Sequence, residues 1–217
     1  MATEAEVLAG RAMWQDERSY PGYTFLMSRK LWQQAMLSQY EVGYGILDGP
    51  FRDRLLFPIR DVHGRLLSIT GRQLNPFLGG PRYWHPSFPK GRHLYGLWQA
   101  KRSIWESGEA VVVEGPTSLL ACVANGYANT VATLGVSFTV THLCLLARYA
   151  QTVYMLQDQG APGGGAGERM AQEYGFPLRH ILVPMYDGVP KGFDPGDLHE
   201  RGLLGDALQR AGVRGCQ

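Results

Sequence analysis

The chain has 217 residues, a net charge of +2 and 45% hydrophobic residues, an ordinary globular composition rather than that of a disordered chain. A chain of this length buries roughly 70% of its unfolded surface, so it needs no metal or disulfide staple. The longest apolar stretch, Leu143 to Ala150, is broken by Arg148, and the first thirty residues start acidic with Glu4 and Glu6; neither a transmembrane helix nor secretion is expected, and a cytoplasmic protein without a membrane partner is.

In chain order, Ser28 is a candidate N-cap for a helix over Arg29–Ser38 that Gly43 and Gly45 end. RLLFPIR (54–60) and RLLSITGR (65–72) are β-rich runs around Asp61-Val62-His63-Gly64, which predicts a hairpin. Residues 75–92, rich in Pro and Gly, read as an ordered loop. From about residue 103 the pattern becomes strand–helix alternation. Strands are predicted at Ala110–Val113, Thr130–Leu134, Thr152–Leu156 and His180–Val183. Helices are predicted at Thr117–Asn125, Thr139–Tyr149, Gly167–Tyr174 and Glu200–Ala211. Short apolar strands separated by helices argue an α/β fold with a parallel sheet covered on both faces.

The near-neutral net charge hides a split. Residues 1–51 are net −2; residues 52–102 hold ten Lys/Arg against two Asp/Glu, net +8; residues 103–217 are net −4. Phe57, Phe77, Tyr83, Trp84, Phe88, Tyr95 and Trp98 interleave with the cations, about half of them expected in the core. Cations track phosphates and flat rings stack bases, which points to a single-stranded nucleic acid; the plain alternative is a solvated cationic surface. On the acidic side, Glu114 follows the first apolar strand directly, Asp158 follows the third by one residue, and Asp194 and Asp197 lie in KGFDPGD after the fourth. Open parallel sheets place ligands beyond the carboxyl ends of their strands. Converging carboxylates there would suit a hard cation such as Mg²⁺; taken singly, each could instead cap the next helix. The glycine-rich run Gln159–Gly167 precedes a helix and could hold a phosphate or serve as a flexible connection, but it lacks the Lys-Ser/Thr of a P-loop. Cys122, Cys144 and Cys216 form no CxxC, so no cysteine zinc site is expected. His85, His93, His142, His180 and His199 show no ligand spacing and read as surface or core residues.

Several motifs in one order resemble the RNA-polymerase core of bacterial DnaG-type primases, with its Toprim fold. They are Arg54–Arg60 with Gly64-Arg65 and Gly71-Arg72; Pro81-Arg82-Tyr83; Lys90-Gly91-Arg92-His93-Leu94-Tyr95-Gly96-Leu97; Val113-Glu114-Gly115 through Ala121; Val131–Gly135; and Asp194-Pro195-Gly196-Asp197. The resemblance covers about residues 20–200. It implies an α+β N-terminal subdomain over 1–102 and a Toprim Rossmann-like parallel sheet over 103–217. It implies primer synthesis on single-stranded DNA from ribonucleotides, with a replicative helicase engaged in trans and a phage- or plasmid-type setting. Glu114 would be the general-base or metal-associated glutamate, and Asp158, Asp194 and Asp197 the other metal-linked carboxylates. Lys90 would join the catalytic set, and Arg54, Arg60, Arg72, Arg82, Tyr83, Lys90 and Arg92 would hold template or nucleotide.

Two positions depart from the family pattern. Gly160 stands where the DxD pair has its second aspartate, and Ser118 where an aspartate follows the glutamate by four residues. Fewer carboxylates weaken a Mg²⁺ or Mn²⁺ site. Two alternatives therefore stand beside the primase: a degenerate Toprim module that binds single strands or a replication partner without synthesis, and a metal-dependent nuclease on the same fold.

Overall fold

The computed structural model describes residues 13–75, 77, 79–157, 165–182 and 194–215. The chain divides into two compact units, Met1–Phe88 and Pro89–Gln217. Residues 89–102, expected with the first domain, lie in the second, because Tyr95 pairs with Ala132 and the helix that follows it packs on the parallel sheet.

In the first unit, two short 3-10 turns, Met13–Gln15 and Glu17–Ser19, lead into α1 (Tyr20–Ser28) and α2 (Gln34–Gln39). Pro21 sits in the first turn of α1, where its missing N–H is harmless. Ser28 ends this helix instead of starting the next, since its hydroxyl donates back to the Phe25 carbonyl at 2.9 Å. Four antiparallel strands follow in the order β1-β2-β3-β4: β1 (Gly43–Tyr44), β2 (Arg54–Arg60), β3 (Leu66–Gln73) and β4 (Tyr83–Trp84). The predicted β2–β3 hairpin is present, closed by Asp61. One carboxylate oxygen accepts the N–H groups of His63 and Arg65 at 2.8 and 3.0 Å, and Gly64 takes φ +88°. Pro58 is tolerated because β1 reaches only Leu55 and Leu56. Within the expected loop 75–92, Tyr83 and Trp84 form β4 against Gly71 and Arg72.

The second unit is a parallel sheet of order β6-β5-β7-β8: β5 (Glu109–Val113), β6 (Thr130–Ala132), β7 (Thr152–Gln157) and β8 (Leu178–Leu182). The central β5 is buried along its whole length, as its unbroken apolar run requires. The helices are α3 (Leu97–Ser107), α4 (Pro116–Ala124), α5 (Val140–Leu146), α6 (Ala166–Glu173), α7 (Pro195–Glu200) and α8 (Leu204–Arg210). α3 has no counterpart among the expected helices; it buries Leu97, Ala100 and Ile104 on one face, with left-handed glycines 96 and 108 at its ends. The single helix expected over 200–211 is two, α7 and α8, separated at Gly202 with φ +73°. Strand order fixes the ligand position. The chain goes from β5 to β6 on one side, then crosses to β7 on the other, so the topological switch point lies between the carboxyl ends of β5 and β7. Among the described residues, no helix is long and apolar enough to cross a membrane.

Candidate nucleotide and nucleic-acid site

Glu114 is the first residue beyond β5, at the switch point, and it is exposed. The turn after β6 folds back on it. Leu134 and Gly135 take φ +63° and +75°, and the Gly135 N–H donates to the Glu114 carbonyl at 3.1 Å. A Cβ at position 135 would stand 3.9 Å from Glu114 Oε1. That distance is ordinary van der Waals contact, so it is the left-handed backbone that explains glycine there. Leu134, a non-glycine residue in the same left-handed region, marks stored backbone strain beside the carboxylate.

Lys90 and Arg92 reach the same edge by a different route. Tyr95 and Ala132 exchange two backbone hydrogen bonds, at 2.9 and 3.0 Å, in an antiparallel bridge. That sense carries the residues before Tyr95 past the carboxyl end of β6. The Lys90–Arg92 3-10 turn therefore lies on the edge that bears Glu114, with Lys90 half-buried and Arg92 exposed.

Asp194 and Asp197 also serve the start of a helix. Asp194 and Asp197 form a reciprocal capping box at the start of α7: one Asp194 oxygen accepts the Asp197 N–H at 2.9 Å, and Asp197 Oδ2 accepts the Asp194 N–H at 3.1 Å. Each thus spends one oxygen on the helix start. At the other end of α7, His199 Nδ1 meets the side-chain amide of Asn125, the C-cap of α4, at 2.8 Å. Ser118 is buried within α4. Asp158 and Gly160 lie outside the described residues. Among the described residues, no group of three or more His, Cys, Asp or Glu comes together to hold a metal ion. The convergence expected of Glu114, Asp194 and Asp197 is therefore not seen there.

The structure describes only the end of the glycine-rich run. Gly165 and Gly167 pass directly over the backbone of Phe138 and Thr139, and the Gly167 N–H donates to the Phe138 carbonyl at 3.0 Å. A side chain at either position would collide with that backbone. These two glycines seat α6 against the start of α5; residues 158–164 lie outside the described residues.

In the first unit, the cations divide by what holds them. Arg82 is exposed. Arg72 is only 5% exposed; it donates to the Tyr83 hydroxyl at 2.9 Å, and its guanidinium stands 5.0 Å from the Phe25 ring centre and 5.5 Å from that of Tyr83. It is a strut clasped by two aromatic residues, a position for Arg rather than Lys. Arg54 donates to the carbonyls of Gly71 and Pro81, both at 3.3 Å, and so braces β2 to the segment that carries Arg82. Arg60, expected among the phosphate contacts, is instead committed inside the unit: it pairs with both oxygens of Glu41 and donates to the Gly64 carbonyl at 2.9 Å. Of the interleaved aromatics, Phe57 and Tyr95 are core; Tyr83, Trp84 and Phe88 are half-buried, and Phe77 and Trp98 are exposed. Sequence reasoning missed Phe25 and Glu41, whose roles depend on long-range packing. It also missed the role of His142, which a capping pattern, Thr139-x-x-His142, could have signalled.

The parallel sheet carries a carboxylate at its switch point and a basic turn on the same edge, and residues 111–197 match the Toprim-like family model. The DNA primase of Halalkalibacterium halodurans is 37% identical over 151 residues, 68% of this chain and 24% of that protein. The DNA primase of Aquifex aeolicus is 34% identical over 161 residues, 70% of this chain and 31% of that protein. A solved DnaG catalytic core superposes with a TM-score of 0.76 at 24% identity, covering 95% of this chain and 78% of that one. A DnaG primase catalytic domain solved bound to single-stranded DNA gives 0.75 at 26% identity, covering 95% and 75%. The chain is similar in sequence to bacterial DNA primases and to the DnaG primase catalytic domain, and spans about a quarter of the length of the first of these curated relatives.

Proposed function

We propose that the chain acts as a primase core that binds single-stranded DNA and joins ribonucleotides into short primers by metal-dependent nucleotidyl transfer. The observation that carries this reading is Glu114, exposed at the switch point with the Lys90–Arg92 turn on the same strand-end edge. A Toprim-like fold and primase relatives support it. Glu114 offers a hard oxygen donor, and Mg²⁺ in such sites is held by one or two carboxylates together with substrate phosphates, so the residues fit Mg²⁺ or Mn²⁺. When bound, the ion would neutralise charge on the transferring phosphate.

The chain's own residues would do the rest. Lys90 and Arg92 would engage phosphates, and Arg82 with Tyr83 would engage the DNA backbone and a base, while Arg72 and Arg54 hold that platform in place. A replicative helicase acting in trans is the further partner this reading implies.

One observation favours a second reading, a single-strand-binding module without synthesis: Ser118 is buried where the family pattern has an aspartate. Labelled ribonucleotide incorporation on a single-stranded template, with Mg²⁺ or Mn²⁺, separates the two. Short RNA products support the primase; tight binding with no incorporation under any template or metal condition supports the second reading.

A further inference from the structure

The turn that carries Lys90 and Arg92 hangs on the first turn of α5. His142 is fully buried there. Its Nδ1 accepts the Thr139 N–H at 3.3 Å, while the Thr139 hydroxyl accepts the His142 N–H at 3.1 Å. With Nδ1 as the acceptor, the proton sits on Nε2, which donates to the Lys90 carbonyl at 3.1 Å. The Thr139 hydroxyl also donates to the next carbonyl, Gly91, at 2.7 Å. One imidazole in one tautomer thus joins the cap of α5 to the backbone of the basic turn. A helix cap alone would need only the first of these contacts, which a short Ser or Asp side chain makes as well. The reach to Lys90 needs a longer group with an acceptor at one end and a donor at the other. Gly91 lies close enough that a Cβ there would stand 3.2 Å from Thr139 Cγ2.

We infer that His142 is a positioning residue for polyanion binding, setting Lys90 and Arg92 at the strand-end edge where they meet phosphates of single-stranded DNA. This rests on the proposed reading of that turn as a phosphate contact. The partly buried hydrogen bond to the Lys90 carbonyl is what a smaller residue at 142 gives up, and the turn then loses its fixed place.

The test is the affinity for a fluorescein-labelled oligothymidylate, followed by anisotropy across a salt series. Lys90→Ala with Arg92→Ala lowers both the affinity and the salt slope, the latter by about two units for two lost phosphate contacts. His142→Ala weakens binding about tenfold, the factor that a lost, partly buried hydrogen bond of about 1.4 kcal/mol gives. In the Lys90→Ala, Arg92→Ala background the same substitution adds nothing, because it acts through those side chains. His142→Gln keeps wild-type affinity, since its amide oxygen accepts from Thr139 and its amide nitrogen donates to Lys90. If His142→Ala does not fold, Gly91→Val, which pushes the turn off Thr139 and leaves the imidazole intact, replaces it with the same expected loss.

The inference is overturned if the turn variants weaken binding while neither His142→Ala nor Gly91→Val does. It is also overturned if His142→Ala weakens binding equally in the double-variant background, or if His142→Gln is as weak as His142→Ala. A wild-type chain that does not bind the oligonucleotide contradicts the single-strand reading itself, and the positioning role with it.

Discussion

Arg54, Arg60, Arg72 and Arg82 carry the same charge within one basic segment, yet the structure uses them in three ways. Arg82 is exposed, Arg72 and Arg54 brace the sheet, and Arg60 is tied to Glu41. Arg72→Ala should therefore lower stability, by roughly 1–3 kcal/mol in urea denaturation, because it strips a buried guanidinium from Phe25 and Tyr83. Arg82→Ala should leave stability within about 0.5 kcal/mol and lower the salt slope of single-strand binding by about one unit. Equal stability losses in the two variants would contradict this division. Composition shows how many cations a segment holds, but not which of them folding consumes; that depends on partners such as Glu41 and Phe25, far away in sequence. The cysteines differ in the same way. Burial pushes the Cys122 thiol up to about 12, while Cys144 is exposed. Iodoacetamide with peptide mapping should label Cys144 in the native protein and Cys122 only on unfolding.

At the scale of elements, what the sequence made legible followed periodicity. The hairpin 54–72 and the strand–helix alternation after 108 appear where the apolar spacing placed them. The helix Leu97–Ser107 was missed despite its apolar spacing, and two other misses occur where one residue decides. Ser28 has the chemistry of a cap for either end of a helix, and its bond to Phe25 determines which. Gly202 breaks one amphipathic run into α7 and α8. The α5 cap also makes stability depend on pH. Burial, the dominant effect, holds the His142 pKa below its ordinary 6.5, partly opposed by hydrogen bonds to the backbone of Lys90 and His93. The unfolded chain therefore takes up this proton at a higher pH than the folded one. The contribution is complete above pH 6.5 and is lost as pH falls from there towards the lowered folded value. Wild type should lose stability over that window more steeply than His142→Gln in matched denaturation series; parallel curves would contradict it. A second tie closes the far end of the chain. Glu109, nearly buried at the start of β5, accepts from the Arg214 backbone and its Nε, both at 2.8 Å. Glu109→Ala should cost roughly 1–3 kcal/mol by calorimetry, mostly from the lost backbone bond and the orphaned Arg214 N–H.

At the scale of the whole molecule, the order of motifs along the chain was legible, and primase relatives match the same stretch. The spatial order of strands was not, because apolar runs do not record their neighbours. Only the order β6-β5-β7-β8 places the switch point at Glu114. The same topology brings the Lys90–Arg92 turn to that edge through a single bridge, Tyr95 to Ala132, which no local pattern announces. The capping box likewise assigns Asp194 and Asp197 a helix-starting role that spacing alone left open. The proposed chemistry rests on one carboxylate, Glu114. The most direct measurement compares ribonucleotide incorporation on a single-stranded template by wild type and Glu114→Gln, with oligonucleotide binding measured in parallel. The prediction is a loss of at least about a hundredfold in incorporation with binding retained, since a neutral amide cannot hold the divalent ion in place. Undiminished incorporation by Glu114→Gln would contradict it.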